Sequence, residues 1–442
     1  MATKAEQLIK LAEDFAKEKG FDLSETEKKL LTSVAEGKEA DYRSTDETEN
    51  DSEKGNTWDK SRSPKINILI WLCTDKEAIS YLTHRGISIS GAKIEGCLDL
   101  DFIDLDVPLT FYSCYFSEGI RLLYAKVKLL YFSACYIASN QNALIADNAE
   151  IKGNVLLNNG FQAKGKVVFS AATIGRTFIL FKVKNSQEMT LFLSFAKINC
   201  LLAQEDSWPE KNKLYLEGLV YNSIDNDSSV DSQSRLKWIR LQNLEDNFSP
   251  QTYEQLAKVL RMSGHEEAAT EILIAKQNDR RRYGELKGFS WGWNFILGFT
   301  IDHGYRTQKI LVFVLFFIGI GWGIFFWGES QNLMSPSRII ALVNPSSTQK
   351  IIDPNYPKFN ALMYSVDSFV PIIDFYQESY WLPNANITTD LEIPLNYSNK
   401  ITWKNANIGS LLRCYFWFHI FMGWVLTSLG VAGFTGLVRR LG

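Results

Sequence analysis

The chain has 442 residues, with Lys plus Arg at 47, Asp plus Glu at 50 and a formal net charge of -3. The length suits about three ordinary domains, and the charge balance excludes a general nucleic-acid binder, which carries a basic surplus. Apolar residues at 46% exclude whole-chain disorder. Six scattered cysteines (Cys73, Cys97, Cys114, Cys135, Cys200, Cys414) without a Cys-x-x-Cys pair exclude a zinc module and a secreted disulfide scaffold.

Met1–Gly20 is charged and lacks the apolar core of a signal peptide, so a large N-terminal part is expected in the cytosol. Thr3 with Glu6 and Ser24 with Glu27 make two capping boxes. They predict a helix over Thr3–Lys19, with Leu8, Leu11 and Phe15 on one face, and a second through about Ala35. Residues 38–64 are polar with almost no aliphatics and read as a flexible insertion within an N-terminal helical region, 1–85. Ile66–His84 returns to helix, and Thr74-Asp75 starts a short second helix within it.

From Gly86 the period changes. Ala92-Lys-Ile94, Ile103-Asp-Leu105, Cys114-Tyr-Phe116 and Ala125-Lys-Val127 recur at steps of 11. The echo continues less regularly at Cys135, Ala149, Phe161, Ala172 and Ala196. Short β stretches with a small residue at fixed phase predict a solenoid over 86–204, with about 20–22 residues per coil and about five or six coils. The competing reading is an antiparallel sandwich, which the scarcity of hairpin dipeptides disfavours. The Ala/Cys and Leu/Phe positions resemble a degenerate pentapeptide-repeat β-solenoid, which implies a right-handed coil. Val107-Pro108, Ser139–Ala143 and Ser186–Met189 break the five-residue pattern.

Residues 205–285 read as a connector: a polar excursion to Ser234, then helix from Arg235 to Tyr283. Residues 286–309 carry Trp291, Trp293, Phe295 and Phe299 after a run of arginines. They predict an amphipathic helix on the cytoplasmic leaflet, or else an apolar helix buried in the cytosolic part. The two tryptophans, with Arg306, Lys309, Arg439 and Arg440, are the candidate membrane-interface anchors.

The membrane domain is expected over 310–442. Ile310–Gly328 is uncharged and close to the ~20 residues that cross a bilayer. Cys414–Val438 is a second apolar stretch, closed by Arg439 and Arg440. The basic flanks predict a multi-pass protein of the cell membrane with both termini cytoplasmic. The run Gly319-Ile-Gly-Trp-Gly lies inside an apolar helix without a flanking strand and is not a nucleotide loop. Gly423, Gly430, Gly433 and Gly436 permit close helix approach, Gly433 and Gly436 also permit a bend, and His419 is a lone intramembrane histidine. His419, Gly430 and Gly433 are the candidates for lining a path.

Between the spans, 359–375 reads as a short helix, then Val370-Pro-Ile-Ile-Asp374. This layout resembles the re-entrant pore loop of two-span cation channels, with Tyr364-Ser365 at the place of their aromatic-Ser pair. The Gly-Tyr-Gly core of the potassium filter is missing. Ser365, Pro371 and Asp374 are the selectivity candidates, with Asp367 as a second acid; a ring of Asp374 carboxylates selects cations by charge. The alternative is an extracytoplasmic interfacial helix with solvated acids.

No hydrolase, Walker, Rossmann or zinc-protease motif occurs, so no catalytic residue, metal or cofactor is expected. The whole-chain order resembles bacterial pentapeptide-repeat membrane proteins with a channel-like C-terminus. That resemblance implies a mixed fold, a cytosolic β-solenoid with flanking α-helices and a two-helix membrane domain. The expected function is a homo-oligomeric, cation-conducting pore, tetrameric or pentameric, because two spans cannot enclose a path alone. The solenoid would gate or assemble it through a protein or small ligand. The alternative is a membrane-tethered solenoid scaffold.

Overall fold

The 11-residue echo corresponds to two corners of one coil. Ile89, Phe111, Phe132, Leu157, Leu180 and Ala203 stand in register on successive strands, 21 to 25 residues apart. The coils are therefore somewhat longer than expected, and the longest step spans the Ser139–Ala143 interruption. A computed structural model describes residues 3–284, 286–337, 356–387, 389–396 and 399–438. The chain divides into two compact units, Met1–Glu285 and Leu286–Gly442.

In the first unit every strand pairs parallel, forming three sheets along a solenoid of about six turns. One sheet runs from Ala40–Asp41 through Ile87–Ser90, Asp104–Tyr112, Lys126–Ser133 and onward to Val220–Ile224. A six-stranded sheet runs from Leu98–Asp99 to Leu214–Tyr215, and a four-stranded one from Lys93–Ile94 to Gln162–Ala163. Ala92, Cys114 and Cys135 fill one inner corner; Ala125, Ala149, Ala172 and Ala196 fill another, all with almost no exposure. Small side chains are required there because each carbonyl takes an N–H from the next coil. Ala125 O receives Glu150 N at 2.8 Å, and Ala149 O receives Thr173 N at 2.8 Å. The residue before each of these alanines turns with positive φ: Tyr124, Asn148, Ala171 and Phe195. Only Asn148 is a residue that suits this region, and each of the others costs roughly 1–2 kcal/mol there.

Two expectations change. The solenoid does not stop at 204: Leu214, Leu216 and Leu219 continue the inner columns after the polar insertion at 205–212. Residues 38–64, expected to be flexible, lie ordered against the coils. Asp46, Asp51 and Asp59 cap short 3-10 turns by accepting backbone N–H groups. Ser52 Oγ donates to Ala134 O at 2.7 Å, Ser63 Oγ to Lys93 O at 3.1 Å, and Arg62 Nε to Gly91 O at 2.9 Å. The Arg62 guanidinium also stacks 3.6 Å over Trp58. Side-chain bonds to solenoid carbonyls thus replace the missing aliphatic core.

Helices close both ends of the coils. Both capping boxes form, at the starts of α1 (Lys4–Glu18) and α2 (Glu25–Glu36). As Thr74-Asp75 predicts, the next helical stretch divides at Asp75 into α3 (Ile66–Thr74) and α4 (Lys76–Tyr81). After the last coil come α5 (Ser232–Ile239), α6 (Pro250–Met262) and α7 (Glu266–Tyr283). Gln251 Nε2 donates to Leu219 O at 3.0 Å and Gln255 Nε2 to Tyr221 O at 2.5 Å. These side chains satisfy a strand edge that would otherwise be open to pairing.

The second unit holds α8 (Phe289–Ile301), α9 (Lys309–Ser330), α10 (Ala361–Phe369), α11 (Gln377–Tyr380) and α12 (Ile408–Phe434). Two helices, α9 and α12, are long and apolar enough to cross a membrane. They run antiparallel: Ile310 packs with Leu426 and Leu429, and Phe325 with Leu412 and Phe416. Met334–Pro336 pairs with Trp381–Pro383, and Thr389–Asn396 with Asn399–Ala406, both antiparallel.

Candidate functional site

Asn360 starts α10 by accepting the N–H groups of Leu362 and Met363 at 3.1 Å. Pro371 follows its last turn, where a helix cannot continue. The helix is about 13 Å long at 1.5 Å per residue, less than half a bilayer core. Its Tyr364, Ser365, Asp367, Ser368 and Phe369 are buried against α9 and α12.

Ser365 is the point of closest engagement. Its Oγ donates to Ile318 O at 2.8 Å, near the middle of α9. His419, near the middle of α12, is fully buried and brings Nε2 to 3.1 Å from Ser365 O. A carbonyl only accepts, so Nε2 carries the proton and Nδ1 accepts from Tyr415 OH at 3.3 Å. Gly321 makes room for this pair: a Cβ there would stand 2.4 Å from Ser365 Oγ and 2.5 Å from His419 Cε1. At the end of α10, Phe369 O lies where a Cβ on Gly423 would be, 1.8 Å away. The Ser365 Oγ to His419 Nε2 distance of 3.3 Å is not that of a nucleophile and its base. The hydroxyl proton points to Ile318 O, the imidazole N–H to Ser365 O, and neither side chain reaches solvent.

Beyond Phe369 the chain reverses. Asp367 fixes the reversal: one carboxylate oxygen accepts from Phe375 N at 2.5 Å and the other from Glu378 N at 2.9 Å. Ile372, Ile373, Phe375 and Tyr376 are exposed along the returning segment. Asp374 is exposed as well, and accepts Tyr376 N at 2.8 Å. Burial, then the charges of Asp367 and Asp374, hold the Glu378 carboxyl above its usual range. Three carboxylates therefore share this turn.

The sequence-predicted residues divide into two groups. Ser365, Asp367, Pro371 and Asp374 belong to the loop, and His419 joins them from α12. Asp367 is committed to the backbone of its own turn. Gly430 and Gly433 are apart from the loop: a Cβ on Gly430 would meet Ile310 Cγ2 of α9 at 3.7 Å, and one on Gly433 would meet Thr307 Cγ2, in the turn before α9, at 2.7 Å. Trp291 and Trp293 are exposed on α8, where Trp291, Phe295 and Phe299 stack in a row. Arg306 is half-buried, and Lys309 pairs with Asp302 at 2.8 Å. Arg439 and Arg440 lie outside the described residues. Gly423 was singled out from sequence as a small residue of the second apolar stretch that permits close approach; Gly321, Tyr415 and Glu378 were not. Gly321 sits in the glycine run of the first span, which was a signal for close packing as well as a false nucleotide loop.

Among the described residues no group of three His, Cys, Asp or Glu is placed to hold a metal ion. Compared with family models, curated proteins and solved structures, the chain finds no match.

Proposed function

We propose that this chain is the protomer of a homo-oligomeric membrane pore that conducts cations, assembled or gated by its β-solenoid. The observation that carries the reading is Ser365, which bonds Ile318 and His419 near the midpoints of two helices long enough to cross a bilayer. A nine-residue helix at that height, followed by a chain reversal, is a re-entrant loop if α9 and α12 cross. Backbone that is not helical is tolerated at such depth only inside protein or beside water. The exposed Ile372–Tyr376 segment needs such a neighbour, and rotational symmetry supplies one by bringing copies of the loop around an axis. Asp374, Asp367 and Glu378 then give the aperture a negative potential that favours cations.

In this reading α8 lies on the cytoplasmic leaflet through Trp291 and Trp293, and Arg306, Lys309, Arg439 and Arg440 hold both termini in the cytoplasm. The solenoid, of the pentapeptide-repeat kind, meets a protein or small ligand there. Single-channel current from purified protein in a planar bilayer tests the proposal. Cation current that loses selectivity in Asp374→Asn supports it; a folded oligomer that stays silent, with or without its solenoid, refutes it.

A second reading, a membrane-tethered scaffold, is favoured by Phe102, Tyr124 and Phe195, which stand exposed along one solenoid corner. It predicts that deleting 359–375 leaves every partner of the solenoid bound.

A further inference from the structure

Arg235, in α5, is the bulkiest fully buried side chain of the protein. Its Nε donates to Ser229 O at 2.5 Å. Its Nη1 and Nη2 have no partner. Tyr221, on the last solenoid strand, is 3% exposed, and its hydroxyl also has no partner. The Arg235 charge acts on the Tyr221 hydroxyl, yet no hydrogen bond joins them. Trp238 closes another side, its ring centre 5.9 Å from the guanidinium carbon. Asp231 acts on Arg235 only at longer range, because its carboxylate takes the Ser234 N–H and the Ser229 hydroxyl.

A buried guanidinium without a counter-charge costs several kcal/mol. The neighbouring buried charge is matched: Asp279 accepts Arg240 at 2.9 Å and Tyr253 OH at 2.9 Å. A water molecule would satisfy donors at Arg235 but leave its charge uncompensated. An anion does both, and charge-assisted bonds are about twice as strong as neutral ones.

We propose that Arg235 and Tyr221 hold a small inorganic anion of halide size, enclosed between the last coil and the helices that close it. The guanidinium N–H groups and the phenol O–H are its donors. Full burial of both side chains limits the ligand to a compact ion. The site goes beyond the pore reading and does not depend on it, since all its residues belong to the first unit.

The test is thermal unfolding of the full chain in chloride against gluconate at constant ionic strength. The expected result is a melting temperature that rises saturably with chloride. Tyr221→Phe removes one donor and raises the half-saturating chloride about tenfold. Arg235→Met abolishes the dependence. Should that variant not fold, crystals of the natural protein grown in bromide decide, with an anomalous peak expected within hydrogen-bond reach of the Arg235 guanidinium. Equal melting in both salts, or no bromide at that position, overturns the proposal.

Discussion

In the solenoid the large apolar side chains turn inward. Phe111, Phe132 and Phe161 are buried, and charged residues such as Lys126, Glu150 and Lys197 occupy the outside. In the C-terminal unit the order inverts. Leu315, Phe316, Phe326, Trp417, Phe421 and Trp424 turn outward, and beside a smaller apolar core that includes Phe325 and Phe369 the closest inner contacts are made by Gly321, Ser365, His419 and Gly423. Water drives the first arrangement, because burying apolar surface is favourable there. In lipid that drive is lost, and helices associate through close backbone approach and hydrogen bonds between them. The difference teaches where to look for function: in the solenoid at what is exposed, in the helical unit at what is small or polar.

The largest expected effect is in the solenoid core. Phe132→Ala should destabilise the first unit by about 3–5 kcal/mol. Denaturant unfolding followed separately on the two units checks it, and equal loss in both would break the distinction drawn above. Next is Gly423→Ala, which drives a methyl group into Phe369 O and should cost about 3 kcal/mol by overpacking. Gly323→Ala is its control, because nothing lies within 4 Å of that position. Thermal stability of both variants in one detergent sharpens the claim that close approach, not glycine content, holds the helical unit.

Asp367→Ala should cost about 2 kcal/mol by stranding two backbone donors. Hydrogen exchange at Phe375 and Glu378 should speed up, with α9 and α12 amides unchanged. The smallest effect is at Glu27, in the α2 capping box. Burial opposes its ionisation, but the Ser24 hydroxyl and the N–H groups of Lys65 and Ser24 outweigh it and hold its pKa below the usual range. Its stabilisation is therefore complete above the unfolded value of about 4.3 and is lost as pH falls through the lower folded value. Glu27→Gln should remove about 1 kcal/mol of cap stability at neutral pH and flatten acid unfolding of the first unit.

Local signals were legible in the sequence. The capping boxes at Thr3 and Ser24 formed, and the Ala/Cys echo marked two inner corners of each coil. Both long apolar helices were also plain. Contacts set by tertiary packing were not. The order of 38–64 rests on carbonyls such as Ala134 O, 82 residues from Ser52. The last coil was hidden by the polar insertion that precedes it. In the loop, Ser365 was singled out by its neighbour Tyr364, but its partners Ile318 and His419 are 47 and 54 residues away. Asp367 was legible as a second acid of the loop, but nothing local reveals that it accepts N–H groups from Phe375 and Glu378.

The central claim is that the returning segment after α10 lines a conducting path. Ile372 is 79% exposed at its tip and bonds nothing through its side chain. The direct measurement is bilayer current through Ile372→Cys, in a Cys414→Ser background, before and after a charged membrane-impermeant thiol reagent. The account predicts that the reagent blocks the current. Current that persists unchanged after mass spectrometry has shown complete labelling of that cysteine would contradict it.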